Sequence, residues 1–448
     1  MSESIDLRRP QGLVWIVWFC LCLVQLNLPG GVSANYLFCL TPLIALWNGD
    51  SLRYPPASML YLGLFYFAIY AAGMLGFAGV PGHALWRTAS FLIFSSLFVF
   101  CVVRVTPEMI RAFMWAVVIV SIAYSAEMIF RFYLSGFMIR YNALAGLPAA
   151  EPKDLVGTQR MAFLFGVAYW VLAWVVFDLR RLSDKFAASV GLAVVLSGIL
   201  LTFSRASVVA LACSFAVLVV WRVSRFLKNG LGEVRETGQG IALFLFANVA
   251  ALTLFPQALL FYADRVLRFF LSGQAFVNVG LIDPTVPLGY DIADTSEGTR
   301  LRIWRAILEH VEQNPLFGNG FMGVWSVSEF GSAHNQYMDV LLRTAYLGAL
   351  AYLALLAVVT VHLFRVSKPL FLGMVAALVG GLFHETFKEA HGAFLLAFFV
   401  GMYSSRNLDT EPSRDDLTIP ELVARLRKRA FPVRGIPEGS ENEQSRRR

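Results

Sequence analysis

Apolar runs long enough to cross a bilayer follow one another along this chain, separated by short polar stretches. A helix of roughly 17 to 25 apolar residues spans ~30 Å of hydrocarbon. The runs fall at residues 12–28, 34–48, 59–80, 89–103, 109–129, 161–178, 187–203, 207–221, 240–262, 338–364, 370–386 and 390–404. With 57% hydrophobic and only 15% charged residues, the chain has too little polar surface to cover a water-soluble globule. The expected fold is all-α, a polytopic integral membrane protein of about 12 transmembrane helices. Residues 1–262 would hold helices one to nine, and residues 263–337 one large loop with amphipathic helices. Residues 338–405 would hold helices ten to twelve, and residues 406–448 a polar tail.

Charge sets the expected orientation. With the N-terminus inside, the inner loops carry 14 basic residues: Arg8, Arg9, Arg53, Arg104, Arg111, Arg180, Arg181, Lys185, Arg222, Arg225, Lys228, Arg235, Arg365 and Lys368. The short outer loops carry 7: Arg87, Arg131, Arg140, Lys153, Arg160, Arg205 and Lys388. The positive-inside bias therefore favours cytoplasmic termini and an outward-facing 263–337 loop. The net charge of +7 does not indicate nucleic acid, because ten of the 37 basic residues lie after residue 405 and the rest are scattered. Arg8 and Arg9 before an apolar run, with Val32-Ser33-Ala34 beyond it, also allow a cleaved signal peptide, which would leave the later topology unchanged. All five cysteines lie inside apolar runs, without disulfide or metal-ligand spacing. The segment Ile419 to Phe431 reads either as a short basic amphipathic helix at the inner surface or as part of a disordered tail.

Chemistry-bearing residues concentrate toward the outer side. The segment Thr299 to Pro315 has Ile303, Trp304, Ile307, Leu308 and Val311 at helical spacing. Arg302, Arg305, Glu309 and Glu312 lie on its polar side, whereas Arg300 falls in line with Trp304, Ile307 and Val311. A guanidinium there either pairs with an anion or bends back to solvent. Ser204-Arg205 occupies a tight turn between two apolar runs, suited to an anion or to snorkelling at headgroups. His334-Asn335 stands where the outer loop re-enters the membrane, ahead of Asp339 and Arg343. An imidazole with an ordinary pKa of ~6.5 suits a general base, worth ~10²- to 10⁴-fold. His83, His310 and His362 are weaker candidates; His384, Glu385, Lys388, Glu389 and His391 form a charged outer corner. Pro315 to Phe321 contains Gly318 and Gly320, where a backbone could approach a phosphate or simply turn. Among the outward carboxylates (Asp264, Asp283, Asp291, Asp294, Glu297 and Glu329), Asp291 with Asp294 could hold a divalent cation, but no spacing commands a metal and none is expected.

Taken in order, Ser204-Arg205, Arg300-x-x-x-Trp304, Pro315-Leu-x-Gly-x-Gly320 and His334-Asn335 resemble the bacterial O-antigen ligase and polysaccharide polymerase family over residues 200–365. The family pattern continues with an acidic residue and two glycines; here Arg343, Ala345 and Gly348 stand there, so only the last glycine is kept. The resemblance implies a glycosyltransferase of the bacterial inner membrane that needs no metal or other cofactor. Its donor would be a glycan on undecaprenyl diphosphate, and its acceptor a glycan or lipid A core, with polysaccharide assembly proteins as further partners. It implies His334 as the base, with Arg205 and Arg300 on the diphosphate. Asn335, Trp304, Gly318 and Gly320 are the expected substrate-binding residues, with Asn335 fixing the loop or a sugar hydroxyl. The look of HNQYMDVLL leans toward a polymerase rather than a ligase. A flippase or other transporter is the alternative, with Glu127 as its candidate intramembrane carboxylate.

Overall fold

The structure, a computed structural model, describes residues 10–24, 34–50, 52, 55–74, 99–134, 153–178, 181–202, 204–229, 238–256, 262, 296–320, 323–324, 327, 332–387 and 390–406. Outside them lie Val32-Ser33, most of the 89–103 run, residues 263–295 of the long loop with Asp264, Asp283, Asp291 and Asp294, and also Glu329, Lys388, Glu389 and Ile419 to Phe431. The chain divides into two compact units, residues 1–405 and 406–448, and the described residues belong to the first apart from Arg406.

Every element among the described residues is helical; the single bridge pairs Leu52 with Val103. The helices are α1 (Pro10–Leu23), a 3₁₀ segment (Ala34–Leu40) running into α2 (Thr41–Trp47), α3 (Ala57–Met74), α4 (Val99–Val102), α5 (Pro107–Leu134), α6 (Lys153–Asp178), α7 (Leu182–Leu201), α8 (Arg205–Asn229) and α9 (Gly238–Leu254). Then come α10 (Ser296–Gln313), α11 (Gln336–Val366), α12 (Lys368–Gly380) and α13 (Ala390–Arg406). Among the described residues, four stretches are long and apolar enough to cross a membrane: Pro107–Phe130, Leu182–Leu201, Arg205–Ser224 and Gln336–Val366. Shorter apolar helices occupy seven more of the expected runs.

Boundaries differ from the apolar runs where backbone chemistry overrides hydropathy. The 370–386 run is helical only to Gly380, because the Gly380-Gly381 pair has poor helix propensity; turns follow through His384, whose N–H bonds the Gly380 carbonyl. The 207–221 run is a longer helix that starts at Arg205, so Arg205 opens a helix rather than sitting in a turn. Residues 34–40 form a 3₁₀ segment before the α-helix that Pro42 initiates near its N-terminus.

Apolar lipid gives helices no hydrophobic reason to associate, so close packing and internal hydrogen bonds must hold them. Phe19, Phe38, Phe100, Phe113, Phe394 and Phe398 interlock as an aromatic core, with Phe113 and Phe398 stacked at 4.1 Å. Helix α7 comes so close to α5 that a methyl group at Gly198 would overlap Ser125. Trp170 Nε1 donates to Ser214 Oγ at 2.8 Å, Tyr169 Oη to Asn248 Oδ1 at 2.9 Å, and Tyr66 Oη to the Gly348 carbonyl at 2.8 Å. These bonds tie α6 to α8 and α9, and α3 to α11. Each such bond is worth ~0.6 to 2 kcal/mol in a membrane.

Helix α11 is broken at Ala345, which has φ 49° and ψ −160°. An unbroken helix would place the Tyr346 N–H on the Leu342 carbonyl. Instead Tyr346 N–H donates to the Pro315 carbonyl at 3.4 Å, and the Leu342 carbonyl accepts from Asn319 N–H at 2.9 Å. The 315–320 segment thus replaces the missing helical bond from outside. Gly318 makes the insertion possible, since its φ is +60° and a methyl group there would lie 2.7 Å from the carbonyl carbon of Arg343. Ala345 occupies a conformation that only glycine adopts without cost. Replacing it by glycine relieves ~1 to 3 kcal/mol of strain and forfeits ~0.8 kcal/mol of methyl burial. Ala345→Gly is therefore expected to raise the unfolding temperature of the purified protein; a lower one would contradict the strained assignment.

Candidate functional site

The loop that carries His334 is pinned from two sides. Trp304 Nε1 of α10 donates to the Ala333 carbonyl at 2.8 Å, and the Glu385 carboxylate accepts the Ala333 N–H at 2.7 Å. Both backbone polar groups of Ala333, the residue before His334, are thereby held, one by the amphipathic helix and one by the turn after α12. His334 itself has φ 50°; with Ala345 it is one of two non-glycine residues at positive φ among the described residues. Its N–H donates to Ser332 Oγ at 3.2 Å, and the residue is half-buried. Histidine tolerates this conformation better than most side chains, yet it costs energy that the two flanking anchors supply.

Asn335 follows as the N-cap of α11. Its Oδ1 accepts from Tyr337 N–H at 2.9 Å and Met338 N–H at 3.1 Å, satisfying two of the orphan donors of the helix end. Gln336 N–H bonds the Gly381 carbonyl at 2.7 Å, and Gln336 Oε1 accepts Phe387 N–H at 3.0 Å. The start of α11 is thus stitched to the end of α12.

Helix α10 packs on α11 through a small core of Ile303, Ile307, Val311, Val324, Ala333, Leu342 and Ala345. Arg302, Arg305, Glu309 and Glu312 are exposed, as the sequence spacing predicts, and Arg305 pairs with Glu309 at 2.9 Å in solvent, a pair of small energetic weight. Leu308, grouped with the apolar stripe from spacing, is exposed. Arg300 is half-buried, one turn before Trp304 on the same face, and so on the side of α10 that meets the Ala333-His334 loop.

Arg205 approaches through a different helix. Helix α8 packs along α12, and the Lys368 ammonium at the start of α12 lies 5.4 Å from the Trp221 ring, well down α8. The two helices therefore run antiparallel. The exposed Arg205 end of α8 is directed toward the Gly380 end of α12, where Gln336 is anchored. The Ser204 carbonyl accepts from Ser207 and Val208 N–H to start the helix.

Gly318 and Gly320 are buried against α11 rather than presented at an open surface; the Gly320 carbonyl accepts from Arg343 Nη1 at 3.3 Å. The other histidines have their own surroundings. His391 stacks on Phe163 at 5.2 Å, His362 packs edge-on to Tyr403 at 5.6 Å, and burial pushes the His310 imidazole below its ordinary pKa. Glu127 is exposed on α5. Among the described residues no three His, Cys, Asp or Glu side chains come together.

Spacing alone did not single out Glu385, because its partner is 52 positions away and is a backbone N–H that carries no side-chain signature. The Asp339–Arg343 pair was readable as an i, i+4 pair of opposite charge inside an apolar helix.

Residues 188–344 match the family model described as O-antigen ligase, a span that contains Arg205, Arg300, Trp304, Gly318, Gly320, His334 and Asn335. No curated protein matches the chain.

Trp304→Phe keeps the ring but strands the Ala333 carbonyl. It is expected to cost ~1 to 3 kcal/mol, read as a lower unfolding temperature and faster amide exchange around residue 333; unchanged exchange there would dissociate Trp304 from the loop.

Proposed function

With residues 188–344 matching the family model described as O-antigen ligase, we propose that this chain is a membrane glycosyltransferase acting at the periplasmic face of the bacterial inner membrane. In this reading it moves a glycan from undecaprenyl diphosphate to an acceptor hydroxyl. The observation that carries the reading is the pinned His334 loop, which α10 and the turn after α12 hold at the end of the helices toward which Arg205 is directed. About twelve helices cross the membrane, as the apolar runs predict. Both termini are cytoplasmic by the positive-inside bias.

The acceptor hydroxyl attacks the anomeric carbon while the bond from that carbon to the diphosphate oxygen breaks. His334 takes the hydroxyl proton. The electron pair of the broken bond leaves with undecaprenyl diphosphate, a concentrated anion. Arg205, in the first turn of α8, and Arg300 offset the charge that develops there. The first-turn position of Arg205 in α8 and the orientation of Arg300 beside Trp304 support these roles. Asn335 and Trp304 act by fixing the loop, one as a helix cap and one as a donor to Ala333. Gly318 and Gly320 act by letting the 315–320 segment dock on α11. No metal takes part in these steps. The acceptor is either lipid A core, for a ligase, or a second lipid-linked repeat, for a polymerase, with a lean to the latter. Other polysaccharide assembly proteins are its expected partners.

The test uses the purified full chain in nanodiscs with EDTA and an undecaprenyl-diphosphate glycan extracted from cells that carry the gene. Lipid A core and a second portion of the lipid-linked glycan are offered separately. His334→Ala, Arg300→Ala and Arg205→Ala should each lower transfer by at least ~10²-fold with the protein still inserted, whereas Arg302→Ala, on the solvated stripe, should stay within about two-fold. Full activity in the three site variants overturns the assignment. Movement of the intact donor across the bilayer without transfer would identify a flippase instead.

A further inference from the structure

Beneath the site lies an ion pair almost sealed from solvent. Arg343 Nε donates to Asp339 Oδ2 at 2.9 Å, with 3% and 4% of the two side chains exposed. The guanidinium reaches out of α11 as well: Nη1 donates to the Gly320 carbonyl at 3.3 Å. Gly323 packs directly on it, where a methyl group would lie 2.6 Å from Arg343 Cζ. Asn319 Nδ2 closes the same turn by donating to the Gly323 carbonyl at 2.7 Å. On the other side, Asp339 sits in the first turn of α11 and its N–H bonds the Asn335 carbonyl at 3.0 Å.

The pair therefore joins two pieces of chain. One is the 315–324 segment, which continues α10 and so follows Arg300 and Trp304. The other is the first turns of α11, which follow directly from His334. Burying two charges brings little net stability, since the desolvation of both ions offsets their attraction; a well-packed apolar pair often does as well. What an apolar pair lacks is direction: it cannot fix the Gly320 carbonyl at a set distance from Asp339.

We propose that Asp339 and Arg343 are positioning residues that set the spacing between the Arg300 half and the His334 half of the site. The proposal rests on the glycosyl-transfer reading above. The pair touches no substrate; it acts through the 315–324 segment and the α11 N-terminus. A misplacement of ~1 Å between groups that must meet one substrate costs on the order of 10²-fold in rate.

The test compares the full-length protein in nanodiscs with the double variant Asp339→Leu/Arg343→Met, which replaces the ion pair by an apolar pair of similar volume. Expected is wild-type insertion and thermal stability, with amide exchange at residues 315–324 faster by ~10-fold or more. Transfer from the undecaprenyl-diphosphate glycan should lose ~10- to 100-fold in kcat while the donor KM stays within about two-fold. Unchanged kcat, or unchanged exchange in that segment, overturns the proposal. If the double variant does not insert, Arg343→Lys takes its place. That variant keeps the charge but replaces the rigid fork, whose Nε and Nη1 bond Asp339 and Gly320, by a single flexible ammonium, and the same kcat loss or its absence decides. A wild-type protein that transfers nothing would instead remove the glycosyl-transfer reading, and this proposal with it.

Discussion

The structure around the site depends on a single exchange of backbone hydrogen bonds. In an apolar surrounding an unpaired N–H or C=O costs several kcal/mol, so a helix can break there only if something else satisfies the freed groups. At Ala345 the freed groups are the Leu342 carbonyl and the Tyr346 N–H, and the 315–320 segment supplies a partner for each. The break and the docking are therefore one event. Without the segment α11 would straighten, and without the break the segment would have nothing to bind. Because the segment directly follows α10, this exchange also fixes where the amphipathic helix sits, and with it Trp304 and the carbonyl of Ala333.

Much of this was legible in the sequence, but unevenly. The apolar runs located the helices because the length of hydrocarbon to be crossed is a property of composition alone. The stripe Ile303, Ile307, Val311 was legible because a helix repeats every 3.6 residues, and all three are buried. Leu308 was misplaced because a residue at the edge of a stripe is assigned by neighbours that spacing does not contain. Asn335 read as fixing either the loop or a sugar hydroxyl, and its amide oxygen caps α11. An asparagine before a helix is a preferred residue for a cap as well as for a polar contact. Gly318 read as an approach for phosphate or as a plain turn, and the backbone that approaches is that of α11. In each case the residue type announced a close backbone contact without saying with what.

Glu385 marks the limit of such reading. It lay within a charged corner of five residues, any of which could have been a solvated loop. What distinguishes it is a bond to an N–H of Ala333, and backbone groups are the same at every position. Long-range contacts of side chains to backbone leave no pattern in one sequence. Contacts between two side chains of opposite charge one turn apart do, as Asp339 and Arg343 show.

Two departures from the pattern of the family that the chain resembles can be understood together. Where that pattern has an acid followed by a glycine, this chain has Arg343 and Ala345. The arginine finds its acid one turn earlier, at Asp339, so the buried position stays neutral in sum. It also gains a reach that a carboxylate lacks, because a guanidinium can donate to the Gly320 carbonyl and to Asp339 at once. The alanine keeps the glycine-like φ of 49° and so carries strain that a glycine would not. A helix under strain at its break would drift toward a straight form unless the inserted segment were held firmly. The extra bond from Arg343 to that segment acts in the same direction as the Pro315 and Asn319 bonds. The arginine that departs from the pattern thus reinforces the break that the alanine makes costly. Neither substitution is well explained without the other.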